Sequence, residues 1–384
     1  MVGDRVWNPA DRMNLGTKLA LLPWGLVGIV ATTALIGIAL LYSAGGQSWQ
    51  PWAGAQALRL GPALVLMLMV AVVDARWWLR AAYPLYGAVL AMLVGVAIMG
   101  QVGGGAQRWL GVAGVYVQPS ELMKLALILA LARYFHGLTP EQVRRPWLLI
   151  PPLLLVGAPV VLVLLQPNLG TATLLLLASM GIFFLAGVPW WFFISGIMGA
   201  LAVLPVGWHF LHDYQKARLT TFLNPAADPL GSGYNILQSQ IALGAGGLFG
   251  KGFGLGSQSQ LQFLPEKHTD FIFVVMAEEF GFIGAMVVVA LYVLMVAWGM
   301  LISLSCSHQF GRLVGFGIVL TTSLYLFVNV SMVMGLIPVV GIPLPLVSYG
   351  GSALLTLCLG IGLLLGVAIH RHVRLPRGGP TGAL

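Results

Sequence analysis

Apolar residues in this 384-residue chain run in long unbroken stretches, each closed by a polar cluster or a Gly/Pro break. Ten stretches can be counted: 21–42, 58–73, 81–100, 121–135, 147–165, 171–188, 190–207, 271–302, 313–340 and 350–368. A helix that crosses the ~30 Å hydrocarbon core of a bilayer needs about 20 residues. The pattern therefore predicts an all-α membrane protein of ten transmembrane helices. A transmembrane β-barrel is excluded, because its strands alternate apolar and polar residues. The second and fourth stretches are short and must borrow flanking residues. The fifth carries Pro151, Pro152 and Pro159 and should be bent or interrupted. The eighth and ninth are long enough to tilt or to extend beyond the bilayer.

The connections are as informative as the stretches. All but one are under about twenty residues; the exception, 208–270, has 63. Loops beyond about 12–15 residues are usually functional. This one holds the Gly-rich run 244–256, which lets backbone approach a ligand or another chain closely, and apolar residues that argue for packing (Ile236, Leu237, Ile241, Leu261, Phe263, Leu264). The expected organisation is a segment 1–20, a membrane domain 21–370 with 208–270 as its large loop, and a tail 371–384. The chain is polar up to Lys18 and no small-residue cleavage site follows 21–42, so that stretch reads as a first membrane helix and not a cleaved signal.

Composition agrees: 59% of residues are hydrophobic and 8% charged, against about 25% charged in a soluble domain. Soluble enzymes and nucleic-acid modules are excluded. The net charge of +8 could suggest nucleic acid, but its distribution points elsewhere. With both termini inside, the inner face holds twelve of the nineteen cations: Arg5, Arg12, Lys18, Arg76, Arg80, Arg133, Arg144, Arg145, Arg312, Arg371, Arg374 and Arg377. That is the positive-inside signature of a multi-pass membrane protein. Cys306 and Cys358 are too few and too badly placed for a disulfide framework.

Ionisable residues within membrane stretches are costly and usually face a cavity or a partner. Glu121 and Lys124, three apart at the start of the fourth stretch, share a helix face; they are either a self-satisfied ion pair or the polar wall of a cavity. Asp270 stands where the long loop meets the eighth stretch, preceded by Lys267 and His268 and followed by Glu278 and Glu279. Such a density of titratable groups at a membrane boundary is what a site needs, although simple helix capping explains Asp270 as well. Gln166, Pro167 and Asn168 break an outer hairpin. Arg108 and Trp109 sit in an outer loop. Asn329 and Ser331 read as helix–helix glue, and 335–352 reads as a broken, packed re-entrant turn on the outer face. His209 and His212 lack a nearby third ligand for zinc.

Four segments together resemble one family. They are GAQRWLGVAGVYVQPSELMKLAL, QPNLGTA, the stretch from NPAADPL to FLPEKHTDFIFVVMAEEFG, and PVVGIPLPLVSYGGSAL. They resemble the SEDS proteins of cell shape and division, over nearly the whole chain, with loop wording closer to the elongation members. The resemblance implies a ten-helix peptidoglycan glycosyltransferase of the inner membrane, active in elongation and rod-shape maintenance. It would polymerise lipid II into undecaprenyl-pyrophosphate-linked glycan at the outer face, beside a class B penicillin-binding protein. It implies Asp270, in HTDF, as the catalytic acid residue, and Glu121 with Lys124 as the paired residues of the S-E-x-x-K motif. Arg108, Arg218, Lys267, His268, Gln166 and Ser348 make up the rest of the expected substrate-binding set. Asn168 departs from the family's usual Asp in Q-P-D-L-G-T.

The residues suit that chemistry. One carboxylate can take the proton from an acceptor hydroxyl, and cations must meet the charge growing on the leaving diphosphate. Direct displacement inverts the anomeric carbon and needs no second carboxylate as nucleophile. A divalent cation, Mg²⁺ or Mn²⁺, is compatible with carboxylate plus phosphate oxygens, Asp270 being the only candidate ligand. Two rivals use the same features. A lipid II flippase would keep working without Asp270. A secondary transporter would need paired broken helices in two repeat halves, and no internal repeat is evident.

Overall fold

The computed structural model describes residues 13–103, 106–112, 115–210, 216, 220–222, 233–261, 264 and 266–376. Among the described residues eight helices are long and apolar enough to cross a membrane: Trp24–Ala44, Ala53–Val72, Ala75–Met99, Pro146–Leu165, Leu169–Ala186, Ile272–Ser305, Gln309–Val333 and Gly351–Ile369. The other two predicted stretches are helical but differ in kind. Pro119–His136 is buried along nearly its whole length, charged residues included. Trp190–Phe210 contributes a shorter apolar piece, Trp190–Gly199.

Pro119–His136 is the centre of the bundle. It packs against Ala75–Met99, Gln309–Val333, Leu169–Ala186, Ile150–Leu165 and Gly351–Ile369. Protein on all sides is what lets a helix with Glu121 and Lys124 lie at this depth. Local sequence sets the helix boundaries. The Asp74 carboxylate accepts from Arg76 N at 2.8 Å and starts Ala75–Met99. Asn168 accepts from Thr171 N at 3.3 Å and starts Leu169–Ala186. Asn caps as well as Asp does, so this role survives the departure from the family's usual residue. In the fifth stretch Pro151 and Pro152 fall in the first turn, where no N–H is required. Pro159 lies inside a helix that continues from Ile150 to Leu165.

Three expectations are corrected. The chain is not all-α: β1 (Gln101–Gly103), β2 (Ala106–Val112) and β3 (Val115–Val117) form an antiparallel sheet in the order β1-β2-β3. The ninth helix ends at Val333, short of the expected 340, and 335–350 leaves it as the non-helical chain that the re-entrant reading of 335–352 required. The eighth helix is broken at Gly281, whose φ of 67° and ψ of −165° are far from helical.

The third correction explains the Gly-rich run. It was expected to approach a ligand or another chain; it docks instead on the broken helix of its own chain. Lys251 N and Gly252 N donate to the Glu278 and Glu279 carbonyls at 3.0 and 2.9 Å. In return, Phe282 N and Ile283 N donate to Gly247 and Leu248 at 2.9 and 3.2 Å. The break frees helical carbonyls and N–H groups, and the run satisfies them, as buried backbone requires. The approach leaves no room for a side chain: a Cβ at Gly250, whose φ is +79°, would lie 2.2 Å from the Glu279 carbonyl oxygen. Gly250→Ala is therefore expected to destabilise the protein by about 2 kcal/mol or more. Gly244→Ala, in open space on a helix, should be neutral or slightly stabilising. Thermal unfolding of the two purified variants checks the contrast, and equal melting temperatures would contradict the docking.

Candidate active site

Asp270 closes a turn over 266–271, in which Thr269 N and Phe271 N both donate to the Glu266 carbonyl at 3.2 Å. The turn is gripped from three sides. The Asn329 amide, fully buried, donates to the Asp270 carbonyl at 2.9 Å and the Ile342 carbonyl at 2.8 Å. Ser348 Oγ donates to the Thr269 carbonyl at 2.6 Å and accepts from Leu344 N at 2.7 Å. Tyr349 N donates to the His268 carbonyl at 2.8 Å. The third side is Trp52, which stacks on the His268 ring at 4.3 Å. The re-entrant segment after Val333 is thus the cradle of the HTD turn.

The Asp270 carboxylate lies over Gly341: a Cβ added there would be 3.4 Å from Oδ2. Because Gly341 has φ +71° and no side chain, the backbone can curve beneath the carboxylate without covering it. Half-burial lowers the affinity of His268 for protons; Glu266 pulls it back up and Lys267 pushes it further down. Lys267 is also shifted down by burial, against the pull of Glu279.

The second cluster is the pair on Pro119–His136. Lys124 Nζ is 2.6 Å from Glu121 Oε1, and Tyr325 OH donates to Glu121 Oε2 at 2.8 Å while also contacting Lys124 Nζ. All three are buried. The pair is closed on itself and on Tyr325, as the ion-pair alternative required. Tyr325 and Asn329 are four residues apart on Gln309–Val333, so they share one helix face. One turn of that helix ties the Glu121–Lys124 pair to the Asp270 turn. Ile342 strengthens the tie: its side chain packs in the apolar cluster with Tyr325, and its carbonyl accepts from Asn329.

The hairpin 166–168 forms a third wall. Arg108, on β2, donates to the Gln166 carbonyl at 3.3 Å and also to the Pro167 carbonyl. The buried Gln166 amide donates to the Leu93 carbonyl at 3.1 Å. Gly170 follows so close to the re-entrant segment that a Cβ there would be 2.8 Å from the Val340 carbonyl oxygen.

Of the expected site residues, Ser348 lies in the segment 335–352, and Asp270, Lys267, His268, Glu121 and Lys124 border it directly or through one neighbour; Arg108 and Gln166 belong to the hairpin wall, which meets that segment at Gly170. Arg218 lies outside the described residues. Glu278 is held by Lys251 Nζ at 3.0 Å, Ser257 Oγ at 3.2 Å and Gln258 N at 2.8 Å. Glu279 accepts from Ser43 Oγ. Both steady the break at Gly281. Among the described residues no three His, Cys, Asp or Glu side chains converge as a metal set. Sequence reasoning missed Tyr325, whose signal was its position one turn before Asn329. It also missed Arg59, which lies over the Tyr349 ring at 5.2 Å and adds a cation to the rim.

Comparison with known proteins follows the same line. Residues 17–373 match the FtsW/RodA/SpoVE family of cell cycle proteins. The peptidoglycan glycosyltransferase MrdB of Escherichia coli K12 is 41% identical over 362 residues, covering 91% of this chain and 96% of MrdB. Stage V sporulation protein E of Bacillus subtilis is 35% identical, over 89% and 96% of the two chains. Among solved structures, a chain of a peptidoglycan synthase complex coordinating polymerization and crosslinking superposes with a TM-score of 0.80 at 34% identity, over 91% and 98% of the chains. The rod shape determining protein RodA of Thermus thermophilus gives 0.70 at 32%, over 92% and 98%.

Proposed function

The chain belongs to the FtsW/RodA/SpoVE family of cell cycle proteins, and we propose that it works there as a peptidoglycan glycosyltransferase of the elongation type. Its substrate in this reading is lipid II, polymerised at the outer face of the inner membrane beside a class B penicillin-binding protein. The observation that carries the reading is the half-buried Asp270, its carboxylate over Gly341, in a turn fixed by Asn329, Ser348 and Trp52. Such fixed geometry is what a general base requires. Asp270 would take the proton from the acceptor hydroxyl as the new glycosidic bond forms and the lipid diphosphate leaves. Lys267, within the turn, and Arg59, over the Tyr349 ring beside it, would supply the positive charge that meets the diphosphate. No step is routed through a metal.

Ten membrane crossings with both termini cytoplasmic fit this arrangement. Pro119–His136 would cross shielded by its neighbours, and Trp190–Phe210 would cross at the periphery. Arg76, Arg80, Arg133, Arg144, Arg145, Arg312, Arg371 and Arg374 all belong to the end of the bundle away from the Asp270 turn, which supports that end facing the cytoplasm. Lipid II incubated with the purified protein should give glycan strands, slowly alone and faster with the penicillin-binding protein. Transport of lipid II across a vesicle without polymer formation would overturn the enzyme reading in favour of a flippase.

A further inference from the structure

At the end of the bundle opposite Asp270, a groove of about 420 Å³ runs between the start of Trp24–Ala44 and the ends of Ile272–Ser305 and Gly351–Ile369. Its apolar wall includes Leu21, Trp298, Leu301 and Ile369, and its mouth carries Arg371 and His372. Among the described residues no carboxylate lines it. We propose that this groove binds one anionic glycerophospholipid, with an acyl chain along the apolar wall and the headgroup phosphate at Arg371 and His372. The proposal rests on the orientation given above, which places the groove in the cytoplasmic leaflet.

Three observations favour that occupant. The first is depth. The groove opens where three membrane helices end, beside Trp24 and Trp298, and Trp marks the interfacial level of a bilayer. Leu21 and Leu301 are 49% and 66% exposed at its edge, so acyl chains are the natural cover. The second is shape. The Trp298 ring lies across Gly25, where a Cβ would be 2.2 Å from the ring; the missing side chain seats the indole as the groove's rigid side. The third is charge: a basic mouth on an apolar groove between helices suits a phosphate headgroup on a chain. The mouth is also held open from its own side. Ser307 donates to the Arg371 carbonyl through its N at 2.9 Å and its Oγ at 2.6 Å, which anchors the backbone of the exposed Arg371 at the groove's mouth.

Native mass spectrometry of the whole protein, exchanged into detergent with phosphatidylglycerol or phosphatidylcholine, tests this directly. One phosphatidylglycerol is expected to be retained preferentially. Arg371→Gln should weaken its retention about fivefold, as loss of one cation near a lipid phosphate does, and His372→Gln combined with it should weaken it further. Ala368→Phe, which fills the groove and keeps both headgroup partners, should lower retention of both lipids. Melting temperatures close to that of the parent protein establish that the variants are folded. The reading is overturned by equal retention of the two lipids, or by selectivity unchanged in both the charge and the filling variants. Lipid retention is read without turnover, so its failure is distinct from a failure of the glycosyltransferase reading.

Discussion

Asp270→Asn is expected to abolish glycan polymerisation, with a loss of at least the 10²–10⁴-fold that a general base contributes. The substitution is nearly isosteric, and the contacts that place residue 270 survive it. Asn329 holds the backbone carbonyl at 270, not the carboxylate, and the Ser348 and Tyr349 bonds go to 269 and 268. The variant should therefore insert, fold and melt like the parent while making no polymer from purified lipid II. Asn329→Ala separates positioning from chemistry. It leaves the carboxylate in place but frees its peptide and that of Ile342, so activity should fall partly and stability by about 1–3 kcal/mol, the cost of two buried carbonyls losing their donor. Near-normal polymer from the purified Asp270→Asn protein would remove Asp270 from the reaction.

Much of this architecture was legible because bilayers impose a length rule that sequence displays openly. Trp24–Ala44 and Gly351–Ile369 differ from their predicted limits by only a few residues at each end. The misses share a physical cause, which is tertiary backbone pairing. Nothing in VVMAEEFGFIGAM marks Gly281 as a break, because the break exists only where the run around Gly250 supplies bonding partners. The strands at 101–117 were hidden by their brevity and by glycines that read as loop. At the site, HTDF announced Asp270, and burial made Glu121 and Lys124 conspicuous. The cradle could not be read, because its contacts join residues far apart in sequence: Asn329 to Asp270, Trp52 to His268, Ser348 to Thr269. Asn329 reads as helix glue in the sequence, and it does bind backbone, but the backbone it binds belongs to the Asp270 turn and the re-entrant segment.

The Glu121–Lys124–Tyr325 cluster should behave as one unit. Lys124→Ala would leave Glu121 buried with only the Tyr325 hydroxyl, and Glu121→Ala would strand the ammonium. Each is expected to cost about 3–5 kcal/mol, the range for removing one partner of a buried pair. The double variant should lose clearly less than the sum, because the second change removes the charge the first left unpaired. Lys124→Arg should not rescue, since a planar guanidinium cannot occupy the ammonium's place between Glu121 and the Tyr325 hydroxyl. Tyr325→Phe removes one donor and should cost about 1–3 kcal/mol. It should also lower polymerisation, because Tyr325 shares its helix face with Asn329 and its apolar cluster with Ile342. A loosened pair would reach the Asp270 turn through those two residues. Thermal unfolding and lipid II polymerisation on the four alanine-cycle proteins decide the matter. Strict additivity of the two alanine changes would mean that Glu121 and Lys124 act independently. A Tyr325→Phe protein with lowered stability and full activity would mean that the cluster supports the bundle without touching the reaction.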